Sequence, residues 1–278
     1  MNISARKLIS AYETNGCCDN RMNQIDSDVS MFSIGFQRIN DGPKINKSKY
    51  FFYYKEKDRT FNYAQLLGGP RESIAFTSVP TPFSVLSLNF VYPLGFVLGT
   101  TQDNIPSFYL CTLQTLANQK LTRFDDFISR KLKHQLPIDA FSLPLSTDGF
   151  KNDFLLVFEH NVLFVSFGKE RSQGGSLVYS QSREEVISTS FKIKYSFFDS
   201  RYRYLYLCGD KSLECYKISK NRSEASVCVA YFTGDTMRIL RKKASGLMIG
   251  IKRETEFSIT DEIYLLKAEC RSNLSKSR

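Results

Sequence analysis

Two histidines are the only imidazoles in the chain, so they are the first residues to consider for catalysis. His160 lies in Glu159-His160-Asn161, between two strongly apolar runs, where polar residues are typical of a hairpin turn. A Ser-His-Asp triad depends on spatial rather than sequential proximity, so His134 or His160 remains open to that role. No Gly-x-Ser-x-Gly, glycine-rich phosphate-binding or His-Glu-x-x-His motif accompanies either residue. We therefore predict no catalytic residues, no cofactor and a chain that is not an enzyme.

The cysteines are the second set of candidates, because thiolates bind metals and act as nucleophiles. Their number is odd and no Cys-x-x-Cys pair occurs; they are Cys17, Cys18, Cys111, Cys208, Cys215, Cys228 and Cys270. Four of them, from Cys111 to Cys228, lie inside apolar runs, where cysteine acts as a small hydrophobic residue. A metal site is the alternative, and this spacing does not favour it. We predict no metal and a reducing compartment, cytoplasmic and/or nuclear.

The composition favours a folded chain that is rich in β-strands. Its 278 residues are 42% hydrophobic and include 23 Phe and 15 Tyr but no Trp. Aromatic side chains suit the half-buried, pleated surface of a sheet. No apolar run approaches the roughly 20 residues of a membrane-spanning helix, and the first residues lack the apolar core of a secretory signal. We expect no membrane segment.

The apolar segments are short, and they recur in groups of three along the chain. Third members of these groups begin at residues 108, 162, 213 and 263, and each is preceded by a near-continuous apolar run. Those preceding runs are 95–99, 154–158, 204–208 and 246–251, and the first members are 85–88, 140–143, 186–191 and 237–240. A period of about 40 to 50 residues with three or four strands is typical of a propeller blade.

These repeats predict an all-β domain over 29–268, a β-propeller of about five blades. Segments 31–36, 50–54 and 60–64 supply the earliest blade, and the most complete blade is 186–232, with 227–232 as its outer strand. Residues 1–28 are predicted to be disordered, and 269–278 form a basic tail. A two-sheet β-sandwich is the alternative architecture.

A break in the strand pattern at 114–136 predicts a helical insertion. Leu121, Phe124, Ile128 and Leu132 are spaced as on one face of a helix. The basic residues around that face form a candidate partner surface: Lys120, Arg123, Arg130, Lys131 and Lys133. The alternative interpretation is a helix packed on the domain rim, with charges that are only solvated.

The net charge of +10 raises a second function, the binding of phosphate backbones. Basic stretches occur at 130–133, 238–243 and 271–278, and nearby aromatic residues could stack on bases. However, the charges are dispersed and no nucleic-acid-binding motif is present. A basic all-β nucleic-acid-binding module, or weak contact with nucleic acid, is therefore the alternative to protein binding.

The layout of the 186–218 repeat resembles that of WD-repeat proteins. In Tyr204-Leu205-Tyr206-Leu207-Cys208-Gly209-Asp210 a buried strand ends in Gly-Asp before the next strand begins, while Tyr216-Lys217 replaces the usual Trp-Asp. A narrower resemblance, to the cullin-4-associated factor 4 type, rests on Phe52-Tyr53-Tyr54-Lys55-Glu56-Lys57-Asp58-Arg59-Thr60-Phe61. The resemblance implies degenerate repeats of a propeller that binds proteins.

That family's implied role is a substrate receptor that docks on a ubiquitin ligase adaptor through Trp-Asp-x-Arg motifs. The nearest match here is Phe198-Asp199-Ser200-Arg201, so Phe198, Asp199 and Arg201 are the candidate docking residues. The motif precedes the second strand of its repeat rather than ending the third. The sequence thus predicts a non-catalytic protein-interaction scaffold within a multi-protein complex, and in its narrower form a cullin-4 ligase subunit.

Overall fold

A computed structural model describes residues 10–11, 23–24, 30–41, 44–66, 77–91, 95–112, 118–120, 130–143, 151–171, 177–219, 225–243, 246–256 and 258–266. Its contacts divide the chain into two compact units, Met1–Ser142 and Leu143–Arg278. The described part is nearly all β, in several small antiparallel sheets, as the aromatic and β-branched composition predicts. Within it, no helix is long and apolar enough to cross a membrane.

The first unit holds two four-stranded meanders, in which consecutive strands pair antiparallel. The first meander consists of β3 (Met31–Asp41), β4 (Lys44–Lys55), β5 (Thr60–Leu66) and β6 (Thr77–Pro80), and it follows the short pair β1 (Ser10–Ala11) and β2 (Asn23–Gln24). The second consists of β7 (Ser87–Val91), β8 (Gly95–Gln102), β9 (Ile105–Thr112) and β10 (Asn118–Lys120), and β11 (Pro137–Ser142) ends the unit.

Aromatic rings join the two meanders of the first unit. Phe52 on β4 and Phe61 on β5 both pack against Phe96 on β8, with ring centroids 4.8 and 4.3 Å apart. All three rings are fully buried, and Phe83 stacks on Tyr109 beside them at 4.5 Å. Buried rings in such tilted and edge contacts add stabilisation beyond their area. The phenylalanine-rich runs therefore form the core of this unit.

The second unit continues the same pattern with three further meanders. Counted along the chain, β11 is the first strand of the first of these repeats, followed by β12 (Lys151–Phe158), β13 (Asn161–Arg171) and β14 (Leu177–Ser188). The next meander is β15 (Tyr195–Asp199), β16 (Tyr204–Cys208), β17 (Ser212–Lys217) and β18 (Val227–Thr233), and the last is β19 (Thr236–Lys243), β20 (Gly246–Glu254) and β21 (Ile259–Leu266). The last two meanders pack face to face through a common core. From β16 and β17 it takes Tyr206, Cys208, Leu213 and Cys215, and from β19 and β20 Met237, Leu247, Ile249 and Ile251.

One hydrogen-bonding arrangement recurs between successive meanders inside each unit. The hairpin turn between the second and third strands offers a carbonyl oxygen to the backbone N–H just before the next repeat. The four bonds are Thr81 to Arg59 (2.8 Å), His134 to Asn104 (2.8 Å), Thr189 to His160 (2.8 Å) and Gly234 to Lys211 (3.0 Å). Buried or crowded backbone groups need such partners, so each turn fixes the entry of the next repeat.

The predicted repeat segments correspond closely to the strands. Third strands β9, β13, β17 and β21 begin at residues 105, 161, 212 and 259, and the early segments 31–36, 50–54 and 60–64 lie in β3, β4 and β5. One boundary differs, because 186–191 was predicted as a single first strand. Instead β14 ends at Ser188 and β15 begins at Tyr195, since Thr189 and Ile193 turn away to bond His160 and Glu159.

The predicted helical insertion and the chain ends are described only in part. Within 114–136, Asn118–Lys120 is the strand β10, residues 130–132 are helical, and 121–129 lie outside the described residues. The short strands β1 and β2 fall in the stretch 1–28 that was predicted to be disordered. The predicted basic tail 269–278 lies outside the described residues.

Candidate protein-interaction face

The predicted basic partner surface is positioned by a single buried side chain. Leu132 is 1% exposed, whereas its neighbours Arg130, Lys131 and Lys133 are exposed. Lys120 ends β10, not a described helix, and Arg123 lies outside the described residues. Leu132 is thus buried, and its basic neighbours Arg130, Lys131 and Lys133 remain in solvent.

Local hydrogen bonds hold this basic turn in place. The amide Nε2 of Gln135 donates to the carbonyl oxygen of Lys131 at 3.1 Å, and the backbone N–H of Gln135 donates to Leu132 at 3.0 Å. His134 has a φ of 67°, in the left-handed region, and bonds Asn104. His134 therefore closes the turn through its backbone.

Two of the three residues of the candidate docking motif, Phe198 and Asp199, have structural contacts at the turn that follows β15. Phe198 is buried, and the buried carboxylate of Asp199 accepts the backbone N–H groups of Arg201 and Tyr202 at 3.0 and 3.2 Å. This is the local capping that aspartate provides at turns. Arg201 is exposed, with its guanidinium 5.1 Å from the ring centre of Tyr202. Of the three, the Arg201 side chain is therefore the one presented to solvent.

His160 lies in the β12–β13 turn, as predicted, and its carbonyl oxygen is used structurally. It accepts the backbone N–H of Thr189 at 2.8 Å. Beside it, the carboxylate of Glu159 pairs with Lys192 at 2.5 Å. These contacts tie the turn to the linker before β15.

The described cysteines are free, and three of the four are buried. Burial raises the pKa of Cys111 and Cys208 to about 11 and that of Cys215 to about 12. Because the thiolate is the reactive form, these three are poor nucleophiles and ligands at neutral pH. Among the described residues, no group of three or more His, Cys, Asp or Glu side chains is arranged to hold a metal ion.

The two most exposed large apolar side chains among the described residues, Ile263 and Ile259, lie on the last meander, β19–β21. One face of this sheet is buried in the core with β15–β18. On the other face Ile259 is 65% exposed, Ile263 is 70% exposed and Leu265 is 41% exposed. These residues alternate along β21, so they lie on the same side of the sheet. We call this side the terminal face.

A groove of about 460 Å³ crosses the terminal face. Arg238, Gly250 and Ile263 lie in one cross-strand row, while Thr236, Lys252 and Asp261 lie in the next. Gly250 has no side chain, so the row dips between the guanidinium of Arg238 and the side chain of Ile263. The groove therefore combines an apolar wall with charged groups of both signs.

Ion pairs arrange the charges on both faces of this sheet. Lys252 contacts the carboxylate of Glu254, and Arg253 lies 3.2 Å from Glu262. The Tyr264 hydroxyl donates to Glu262 at 2.7 Å, and together with Arg253 it lowers the pKa of that carboxyl. Glu262 is thus already satisfied within its sheet, whereas Asp261 on the terminal face is exposed.

Sequence reasoning missed the terminal face, although a signal was present. In Ile259–Leu266, apolar residues occupy both alternating sets, so the pattern does not tell which set is buried. Tyr264 and Leu266 pack on the core, while Ile263 and Leu265 do not. The charged pair Asp261-Glu262 inside an apolar strand was the available sign of an outer strand.

No family model matches this sequence, and no curated protein matches it either. Among solved structures, the chain is similar to the AfRom2 CNH domain, with 17% identity, a TM-score of 0.55, and coverage of 93% of this chain and 71% of that one. It also aligns with a putative 6-phosphogluconolactonase from Bacteroides uniformis, with 9% identity, a TM-score of 0.33, and coverage of 87% and 98%. The second likeness is too distant to bear on fold or activity. The first concerns the fold alone: the chain shares the β-architecture of a CNH domain.

Proposed function

We propose that this chain is a non-catalytic protein-interaction module and that the terminal face binds its partner. The observation that carries the proposal is the exposure of Ile259 and Ile263 on a sheet whose opposite face contributes to the core shared with β15–β18. Large exposed apolar side chains grouped on one face mark interaction sites on soluble proteins. Arg238 and Asp261 border them and provide the charged rim that gives such a site specificity.

Several groups that could perform catalysis are engaged in structural contacts, which supports a binding role. Glu159 pairs with Lys192, Asp199 caps its own turn, and the buried thiols are held neutral. A nucleophile needs a base within hydrogen-bonding reach, and the contacts of these groups are structural instead.

The engagement of five described cations within the protein supports a protein partner over nucleic acid. Lys55, Lys192, Lys194 and Lys252 each contact a carboxylate, and Arg203 donates to two backbone carbonyl oxygens. Phosphate binding requires cations that are free to replace counterions along a backbone. Cations that are already paired supply less of that attraction.

The repeated meanders support a degenerate, WD-repeat-like β-propeller as the scaffold for this face. The same turn-to-linker hydrogen bond at four repeat junctions is expected if each meander is one blade. A ring of blades would hold the terminal face rigid and would lower the entropic cost of binding. Small-angle scattering tests this point: a propeller predicts a compact disc, whereas a β-sandwich predicts a more elongated particle.

A receptor subunit of a cullin-4 ubiquitin ligase is the narrower form of this proposal. It would rely on Arg201, because Phe198 and Asp199 serve the β15–β16 turn. Loss of co-purifying ligase adaptor in Arg201→Ala, with full retention in Lys211→Ala, would support it. Equal retention in both variants would remove it.

The main proposal is tested by affinity capture from cells with quantitative mass spectrometry. The wild-type chain should retain a stable partner, and Ile263→Lys should lose it because a buried charge would enter the interface. Leu86→Lys is the matched control, since Leu86 is also an exposed apolar residue but lies far along the chain. Partner recovery that is equal in Ile263→Lys and the wild type contradicts the proposal.

A further inference from the structure

The outer edge of β21 differs from the other outer edges of the meanders. Among the described residues, β21 pairs with β20 on one side, and it ends a meander of three strands where β18 ends one of four. Its register with β20 is continuous from Ile259 to Leu266. An outer strand of this kind presents a row of backbone N–H and C=O groups that can pair with another chain.

The other outer strands carry features that discourage pairing. β6 has four residues and ends in Pro80, and β10 has three residues. β14 and β18 each contain a register shift against their neighbouring strand. Short length, proline and bulges are the usual protections of a sheet edge. β21 has none of these three features.

We infer that β21 accepts an extended segment of a partner protein as an added antiparallel strand. This inference rests on the proposed function, because it states how the terminal face binds and what it binds. The chain itself supplies the precedent: β18 pairs antiparallel with the third strand β17 of its meander. A strand added to β21 would make the same pairing and would cover Ile259, Ile263 and Leu265.

Cross-strand rows define the chemistry of the incoming segment. Side chains next to Leu265, Ile263 and Ile259 should be apolar, because these rows are apolar on β21. The side chain next to Asp261 should be Lys or Arg, since Lys252 lies on the other side of Asp261 in the same row. Because the added strand is antiparallel, its sequence from the N-terminus to the C-terminus has the pattern apolar-x-apolar-x-basic-x-apolar.

A second copy of this chain suits the edge poorly. Pairing of two β21 strands would bring Asp261 and Glu262 of both copies into neighbouring rows, and like charges on adjacent strands are destabilising. The net charge of +10 also opposes close approach of two copies. A heterologous basic-apolar segment meets neither obstacle.

The test titrates the labelled chain with synthetic peptides and follows the β21 amides by NMR. The peptide Thr-Val-Thr-Val-Thr-Lys-Thr-Val-Thr has the inferred pattern, and its matched control carries Glu in place of Lys. We expect shifts confined to β21 and β20, and about two- to fivefold tighter binding of the Lys peptide, the strength of one exposed ion pair. In Asp261→Lys the preference should reverse, while Lys211→Ala should leave it unchanged.

Three results would overturn the inference. In the NMR titration they are the absence of chemical-shift changes in β21 with either peptide, and a preference for the Lys peptide that Asp261→Lys does not change. In analytical ultracentrifugation it is a dimer of the wild-type chain that Ile263→Lys abolishes. The capture experiment separates this failure from failure of the proposed function. If the captured partner is lost in Ile263→Lys but no peptide binds β21, the face binds proteins and the strand-addition mode is wrong. If no partner depends on Ile263, the proposed function itself fails.

Discussion

Thr81 and Thr189 occupy the same position in two different repeats and make the same three hydrogen bonds. The backbone N–H of each donates at 2.8 Å to a hairpin-turn carbonyl, that of Arg59 or His160. Their hydroxyls lie 3.0 and 3.4 Å from the same carbonyl oxygens. The hydroxyls also donate forward to the carbonyl oxygens of Phe83 and Phe191, at 3.0 and 2.7 Å. Threonine therefore clamps the linker to the preceding turn in both places.

Replacing this hydroxyl with a methyl group should weaken the attachment of the linker to the preceding turn without changing the backbone conformation of the linker. Thr81→Val and Thr189→Val should each lower the free energy of unfolding by about 1 to 2 kcal/mol, because a carbonyl loses its partner in a crowded turn. Urea denaturation measures the effect. Thr233→Val, at an exposed position, is the control and should change stability by less than about 0.5 kcal/mol. Equal changes in unfolding free energy in all three variants would show that the hydroxyl hydrogen bonds of Thr81 and Thr189 do not stabilise the fold.

The close approach at Gly209 predicts a cost for any side chain there. A Cβ at Gly209 would lie 2.7 Å from Cδ2 of Phe191 and 2.9 Å from the backbone oxygen of Lys192. Since the backbone cannot easily retreat, Gly209→Ala should cost about 1 to 3 kcal/mol of unfolding free energy. Thermal melting measures it, with Lys211→Ala in the same hairpin as the neutral control. A Gly209→Ala protein as stable as the control would contradict the close packing of this loop.

Variants of the candidate docking motif separate a residue that stabilises the fold, Asp199, from one that is exposed to solvent, Arg201. Asp199→Ala should destabilise the chain by about 1 to 3 kcal/mol, because two turn N–H groups lose their acceptor. Asp199→Asn keeps an oxygen in place and should recover most of the loss. Arg201→Ala should change stability by less than about 0.5 kcal/mol. Chemical denaturation of the three variants decides whether Asp199 has the structural role that its contacts indicate.

Buried thiols predict a loss of stability at alkaline pH. Burial raises the pKa of Cys208 from its ordinary value of 9.0 to about 11, so the unfolded chain ionises first as the pH rises. The thiol has no effect well below pH 9, and above it the unfolding free energy falls by up to about 1.4 kcal/mol per pH unit for each such thiol. Denaturation at several pH values between 8 and about 11 measures the slope.

Variants at two cysteines isolate this effect. Cys208→Ala and Cys215→Ala should each reduce the alkaline slope by the share of one thiol, because burial raises the pKa of both. Slopes that are the same in the wild type and Cys208→Ala would mean that the thiol is not desolvated as the packing indicates.

The sequence predicted strands better than it predicted surfaces. Runs such as 154–158 and 204–208 are apolar at every position, and the strands β12 and β16 were found there because burial on both faces demands that pattern. The first strand of the β15–β18 repeat was misplaced, since the hydrogen bonds of Thr189 end β14 within the predicted segment 186–191 without any change in composition. Long-range hydrogen bonds of this kind leave no local signal.

The candidate sites also include some features that the sequence predicted and others that it did not. Helical spacing placed Leu132 on the apolar face of a predicted helix, and Leu132 is buried, whereas the other three residues of that face lie outside the described residues. The pair Asp261-Glu262 indicated an outer strand, but which alternating set of β21 is exposed was not predictable, because it depends on which side packs against β15–β18. The role of Asp199 was also hidden, since an aspartate that caps a turn and one that binds a partner have the same sequence.

Hydrogen–deuterium exchange of the captured complex tests the central claim most directly, because it reports on the backbone of β21 itself. We predict that amides of Ile259–Leu266 exchange at least about tenfold more slowly when the partner is bound, since new hydrogen bonds and apolar cover protect an outer strand. Amides of β16, an inner strand, should not change. Saturating partner that leaves β21 exchange unaltered, or protects only residues 130–133, would contradict the assignment of the terminal face as the binding site.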